Sequence, residues 1–354
     1  MTQQGATTIT ARDLAREGQR RPGGKPVLEV QDVVMHYRTK HGEVSAVDGI
    51  SFTLHQGEAL GLVGESGCGK TSVALSLLGL LPENATIQSG SILLDGKDLV
   101  PLPESEMRRH RWHDISMVFQ GAMNAWNPVY RVGDQIHEAL RTHYPGVSKS
   151  EARKRIVDLF DLVGLPPQMM DRFPHEFSGG MRQRAIIAMA LSCNPRLIIA
   201  DEPTTALDVI VQDRILKQLK KIQQELGMAI IYISHDIAVI AEVSDRIGVM
   251  YAGKLVELGS TEEVFARPRH PYSWLLLSST PSILGPRRKL VALKGEPPNL
   301  LEPPPACRFH PRCPFATERC RQEEPPLDTY QQSGHQAACW HWDRVPAVGA
   351  EAAS

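Results

Sequence analysis

Residues 61–72 read GLVGESGCGKTS, and what flanks this stretch decides the fold. Gly64, four residues, then Gly69-Lys70-Thr71 is the spacing of a phosphate-binding loop. The run Ala59–Val63 before it is apolar and strand-like, and Ser72–Leu81 after it is apolar and helix-like. That is the strand–loop–helix setting the pattern needs. Gly64, Gly67 and Gly69 let the backbone close round phosphates, and the amides from Glu65, Ser66 and Cys68 through to Ser72 supply positive potential. Lys70 is expected to reach the β- and γ-phosphates, and the Thr71 hydroxyl to ligate Mg²⁺.

Upstream, VLEVQDVVMHY and ISFTLHQGEALGLVG alternate apolar and polar residues, with turn signals at KHGE and HQGE. Downstream, SILLDG reads as a short strand ending in an Asp-Gly turn. Residues 133–163 have helical spacing, and another helical stretch runs from Gly179 to Leu191. The buried-strand run RLIIA, the helix VIVQDRILKQLKKIQQELG and the strand MAIIYIS follow. Apolar strands alternating with helices predict an α/β fold around a mostly parallel sheet. One of these strands ends in Asp201-Glu202, where ligands bind in open α/β sheets. Asp201 suits Mg²⁺ coordination, and Glu202 suits a general base on an attacking water.

Apolar residues make up 42%, charged residues 22%, and the formal net charge is −1. That balance gives no electrostatic reason to expect nucleic acid as a partner. The best apolar run, SVALSLLGLL, is about half of what a membrane span needs. Residues 1–25 read as a flexible polar leader without a signal-peptide core, so the chain is expected in the cytosol.

Phe177–Arg184, FSGGMRQR, makes the reading specific. Set between a phosphate-binding loop and an acidic strand end, Ser178-Gly179-Gly180 resembles the signature loop of ABC ATPases. Met181 stands where that family most often has Gln, a form that resembles its peptide-importer branch. The resemblance implies a parallel core sheet with an antiparallel β-subdomain and a helical subdomain. It also implies that the signature loop serves the ATP held by a partner subunit. Gln120 in SMVFQ then matches the residue that senses the γ-phosphate and Mg²⁺, Asp208 in TTALD the D-loop, and His235 in YISHD the switch histidine. Tyr37 in MHYRT matches the aromatic that stacks on adenine, with His36 adjacent as a competing assignment. Catalysis would fall to Glu202, His235, Gln120 and Lys70.

GAMNAWNPVYRVGDQI, RHPYSWLLLSSTP and CRFHPRC narrow the resemblance to ATPase subunits of oligopeptide/dipeptide-type importers. That group also includes nickel and oligosaccharide systems. Its members work with a second, commonly paralogous, ATPase subunit, two membrane permease subunits and an extracytoplasmic solute-binding protein. They sit on the cytoplasmic face of the membrane, with the segment near residues 125–165 passing motion to the permeases. A soluble ABC ATPase outside transport, or a subunit with a dead site, are the other classes. The intact Lys70, Asp201, Glu202 and His235 speak against the second.

After about Arg267 the strand–helix alternation stops and prolines cluster in GEPPNLLEPPPAC. The expected organisation is a leader over 1–25, an ABC ATPase domain over 26–266, a Cys- and Pro-rich C-terminal domain over 267–345, and a tail over 346–354. Four of the six cysteines fall in the C-terminal domain, as Cys307-x5-Cys313-x6-Cys320-x18-Cys339. The spacing has no close zinc knuckle. In the peptide-importer branch this pattern resembles a [4Fe–4S] site. Zn²⁺, with His310, His335 or His341 substituting, and unligated thiols remain alternatives.

Overall fold

A computed structural model of the chain describes residues 24–205, 207–279, 293–329 and 334–348. Most of the leader and tail lie outside these residues. The strands are β1 (Pro26–Thr39), β2 (Gly42–His55), β3 (Ala59–Val63), β4 (Ala85–Leu94), β5 (Lys97–Asp98), β6 (Ile115–Val118), β7 (Leu197–Asp201), β8 (Ala229–Ser234), β9 (Arg246–Tyr251), β10 (Lys254–Ser260), β11 (Asp328–Thr329) and β12 (Gln336–Ala337). The helices are α1 (Lys70–Leu78), α2 (Glu104–His110), α3 (Val132–His143), α4 (Lys149–Leu162), α5 (Gly179–Ala190), α6 (Val209–Leu226), α7 (Ile237–Ala241), α8 (Thr261–Ala266), α9 (Pro271–Ser279) and α10 (Glu318–Gln322).

By compactness the chain forms two units that do not follow sequence blocks. One takes Leu28–Leu54, Ala59–Val100 and the chain from Tyr232 onward; the other is chiefly Pro101–Ile231, with His55–Glu58. Strand β8 is divided between them.

In the first unit, β1, β2, β4 and β5 form an antiparallel-type sheet in the order β2-β1-β4-β5. The register of β1 on β4 runs from Leu28↔Leu94 to Tyr37↔Ala85. Asp95 and Gly96 both have positive φ, 50° and 84°, so the Asp-Gly turn read from the sequence forms the β4–β5 hairpin. A second sheet runs β11-β12-β10-β9-β3, with β8 beyond β3. Strand β3 pairs in parallel with β9, Leu60↔Arg246 to Val63↔Val249, and all five of its residues are buried. A fully apolar run buried on both faces is what a parallel core strand requires.

The Pro-rich tail does not stand apart from this unit. Helix α9 follows α8, and β12 pairs antiparallel with β10 through Glu257↔Ala337 and Leu258↔Gln336. The alternation expected to stop near Arg267 therefore extends through one more helix and an added strand.

In the second unit, β6 and β7 pair in parallel, Ile115↔Leu197 to Val118↔Ala200, in the order β8-β7-β6. The helical stretch read as continuous over 133–163 is two helices, α3 and α4. Pro145-Gly146 interrupts it, and Ser148 with Glu151 forms a capping box that restarts it. Helix α6 buries Ile215, Leu216, Leu219 and Ile222, one apolar face at helical spacing.

Candidate functional site

The phosphate-binding loop bridges β3 and α1. Gly64 has φ 157°, and a Cβ there would stand 2.2 Å from the Met250 carbonyl; Gly69 has φ 105°, and its Cβ would meet the Ala46 carbonyl at 2.1 Å. Neither position accepts a side chain, so glycine is required at both by backbone approach. Gly67 differs. A Cβ on Gly67 would meet nothing within 4 Å; what calls for glycine is its left-handed φ of 79°, which turns the loop between Ser66 and Cys68. Lys70 is buried, and its Nζ donates to the Gly64 carbonyl at 2.8 Å and the Glu65 carbonyl at 2.9 Å. Its ammonium is thus held on the concave side of the loop. Cys68 is buried next to it, and burial pushes its thiol pKa up despite the nearby ammonium. Thr71 is exposed at the start of α1, where unpaired amides favour anions.

Tyr37, part-buried on β1, places its hydroxyl 3.2 Å from Ser72 Oγ. The competing His36 turns to Glu43, with Nδ1 3.2 Å from Oε2. Tyr37 is therefore the aromatic beside the loop. His235 is exposed just after β8. The next residue, Asp236, caps α7 by accepting from the Ala238 and Val239 amides at 3.0 and 3.2 Å, which fixes the turn that presents His235.

In the other unit, Asp201 is buried at the end of β7. Glu202 follows with φ 44°, a left-handed conformation unusual for a glutamate. Its Oε2 accepts from Gln120 Nε2 at 2.8 Å and from Thr205 Oγ1 at 2.9 Å. The structure thus brings Gln120 and Glu202 together, from just beyond the ends of β6 and β7, which are adjacent parallel strands. Thr205 was not anticipated; its only sequence signal is its place in EPTT directly after the acidic pair.

Ser178 caps α5, with Oγ accepting from the Met181 amide at 3.3 Å. Gly179 and Gly180 form the first turn of this helix, and a Cβ on Gly180 would approach Val211 Cγ1 to 2.8 Å. The signature loop is thus a helix N-terminus with its amides at the surface. Asp208 caps α6 through a 2.9 Å bond from the Val211 amide. Beside it, Val209 and Ile210 are 80% and 66% exposed, unusual for large apolar side chains.

Cys307, Cys313, Cys320 and Cys339 all line one pocket, with His270, His310 and His341. Burial pushes the Cys307 and Cys313 thiols up to about 11 and about 12, and that of Cys339 higher still. The His341 amide donates to the Cys339 sulfur at 3.3 Å, and the His310 amide donates to the Cys307 carbonyl at 3.0 Å. Among the described residues, no group of three or more His, Cys, Asp or Glu side chains is disposed to hold a metal ion as it stands. Of the candidate substituting histidines, His335 is not at the pocket: its Nε2 lies 2.7 Å from Glu257 Oε1. His341 Nε2 lies 2.9 Å from Thr317 Oγ1. Among the described residues no helix is long and apolar enough to cross a membrane.

Two family models match: ABC transporter over residues 47–205, and the oligopeptide/dipeptide transporter C-terminal region over 256–320. The dipeptide transport ATP-binding protein DppD of Bacillus subtilis is 46% identical over 321 residues, 90% of this chain and 95% of that protein. The oligopeptide transport ATP-binding protein OppD of Haemophilus influenzae is 46% identical over 317 residues, 89% of this chain and 97% of that one. Among solved structures, the dimeric post-hydrolysis ATP-binding cassette MJ0796 bound to ADP and Pi superposes with a TM-score of 0.60 at 27% identity, covering 66% of this chain and 98% of that one. With the phosphate-binding loop, the acidic strand end and the capped signature helix in place, the chain belongs to the oligopeptide/dipeptide family of ABC-transporter ATP-binding proteins.

Proposed function

We propose that this chain hydrolyses ATP to power uptake of di- or oligopeptides through separate permease subunits at the cytoplasmic face of the membrane. The observation that carries the reading is the Glu202 carboxylate, held by Gln120 and Thr205 on a left-handed backbone at a strand end. Such strain is retained where a side chain must be aimed.

Lys70 and the loop amides bind the phosphates, Tyr37 stacks on the adenine, and Thr71, Gln120 and Asp201 are the residues that would hold Mg²⁺. The ion, when bound, neutralises charge on the β- and γ-phosphates. Glu202 orients the attacking water and takes its proton. Gln120, bonded to the same carboxylate, reports whether the γ-phosphate is present, and His235 holds that group's geometry. Ser178–Met181 offers its amides to the ATP of a partner subunit, a second copy or a paralogue, and Asp208 lies at that contact. Closure of two such subunits excludes water and makes the electrostatic stabilisation effective.

Residues 267–345 form a Cys-rich domain in this reading, whose Cys307, Cys313, Cys320 and Cys339 would hold a [4Fe–4S] cluster. What supports this is the convergence of the four cysteines on one pocket and the His341 amide donated to the Cys339 sulfur. Amide donors stabilise a ligating, negatively charged sulfur. When bound, the cluster would tie the Pro-rich segments together.

The test is reconstitution of the chain with its partner ATPase and permeases in vesicles, with the solute-binding protein added. ATP-dependent accumulation of labelled di- or oligopeptide supports the reading. Accumulation of nickel or an oligosaccharide instead, with no peptide uptake, would replace the cargo and keep the ATPase role.

A further inference from the structure

The segment CRFHPRC, residues 307–313, sets an arginine beside each of its cysteines. Arg312 bonds directly to the phosphate-binding loop, and Arg308 bonds to the Ala252–Gly253 turn that is itself bonded to the loop. Arg312 finds an acceptor for every N–H of its guanidinium. Nη1 donates to Glu65 Oε2 at 2.7 Å and to the Tyr251 hydroxyl at 3.3 Å. Nη2 donates to Glu65 Oε1 at 3.1 Å and to the Gly295 carbonyl at 3.1 Å, and Nε donates to the Lys294 carbonyl at 2.9 Å. Its side chain is 6% exposed. A buried, forked, fully paired guanidinium holds its partner in one geometry.

That partner is the residue directly after Gly64. Glu65 is also held by its backbone: its amide donates to the Tyr272 hydroxyl at 2.8 Å, and its carbonyl accepts from Lys70 at 2.9 Å. Phe309, between the two arginines, packs on Tyr251 and Tyr272 with ring centroids 5.1 and 5.5 Å apart. Arg308 braces the other end of the loop. It donates to the Ala252 carbonyl and the Asp48 carboxylate, while the next amide, Gly253, donates to the Cys68 carbonyl at 2.9 Å.

We infer that Arg312 and Arg308 are positioning residues for nucleotide binding, fastening the cysteine-rich segment to both ends of the phosphate-binding loop so that the order of that segment sets the loop's affinity for ATP. The inference rests on the reading of the loop as the ATP site. Neither arginine need touch nucleotide. Arg312 acts through Glu65, whose carboxylate faces the guanidinium and whose carbonyl steadies the Lys70 ammonium.

The experiment is a double-mutant cycle on the full chain, with Mg-ATP affinity and stoichiometry measured at equilibrium for the parent, Arg312→Ala, Glu65→Ala and the pair. Binding by the parent tests the ATP-site reading separately. Arg312→Ala is expected to weaken affinity roughly 10-fold at unchanged stoichiometry. The double variant should lie within about twofold of the single one, because both remove the same tie. In the assembled complex, turnover by Arg312→Ala at saturating ATP should stay within about twofold of the parent. Parent-like affinity in Arg312→Ala, additive losses in the cycle, or a fall in stoichiometry without a fall in affinity would each overturn the inference. If Arg312→Ala does not fold, Glu65→Ala alone decides, since it leaves the cysteine segment intact: parent-like affinity there overturns the inference as well.

Discussion

His335→Ala should loosen the C-terminal segment from the sheet, and the structure gives the size of the effect. Glu257, on β10, is fully buried. Its carboxylate accepts from the Arg269 amide at 2.6 Å, the His270 amide at 3.0 Å and His335 Nε2 at 2.7 Å. Two amide donors survive the substitution, so the carboxylate is under-paired and not stranded. Losing one partner of a buried acceptor costs about 1–3 kcal/mol, at the upper end for a charged group. The imidazole also packs on Gly259, where a Cβ would stand 2.7 Å from His335 Cδ2, so its removal leaves a void worth about 1 kcal/mol more. A total of about 3 kcal/mol lowers Tm by about 6–12 °C for a domain of this size. Thermal unfolding followed by circular dichroism reads this directly, and His335→Gln, which keeps a donor, should recover part of the loss. A shift of under about 1 °C for His335→Ala would refute the argument that this bond fastens β12 to β10.

Further outcomes follow from the same physics. Burial pushes His270 down from 6.5 to about 3, and its Nδ1 accepts from the Tyr272 amide, so the folded ring is neutral. The unfolded chain takes up a proton as pH falls through its ordinary value while the folded chain does not. This contribution is therefore intact above about pH 6.5 and is lost towards pH 3, at up to about 1.4 kcal/mol per pH unit. His270→Asn should flatten that part of the acid-side stability curve in denaturant titrations between those pH values. Gly69→Ala drives a Cβ onto the Ala46 carbonyl at a left-handed backbone; ATP affinity should fall by about 10- to 100-fold, measured by equilibrium binding, with the far-ultraviolet spectrum unchanged.

The phosphate-binding loop, the acidic strand end and the signature helix were legible because each is a short stretch whose local pattern implies its structure. Gly64 and Gly69 are required by contacts with Met250 and Ala46, and Gly67 by its backbone angle alone, yet the spacing announces them without saying which reason applies. Glu202 was legible as a residue type at a strand end, but its bonds to Gln120 and Thr205 depend on how β6 and β7 are paired. What stayed hidden is long-range. Arg312 meets Glu65 across 247 positions and Tyr272 meets it across 207, and no period or spacing encodes such pairs. His335 illustrates the converse: a histidine among cysteines reads as a metal ligand until the strand pairing seats it on Glu257. The tail looked detached because prolines break local periodicity, while its attachment is made by β12 and a few buried polar bonds.

In the proposed reaction this chain hydrolyses ATP with Glu202 as the base that acts on water. Glu202→Gln keeps the side-chain shape and a bond to Gln120 or Thr205 but cannot take a proton. The direct measurement is single-turnover hydrolysis of labelled ATP by the assembled complex, with ATP binding determined on the same samples. ATP affinity should be unchanged and the hydrolysis rate reduced by at least about 100-fold. Hydrolysis at the parent rate by Glu202→Gln would contradict that assignment.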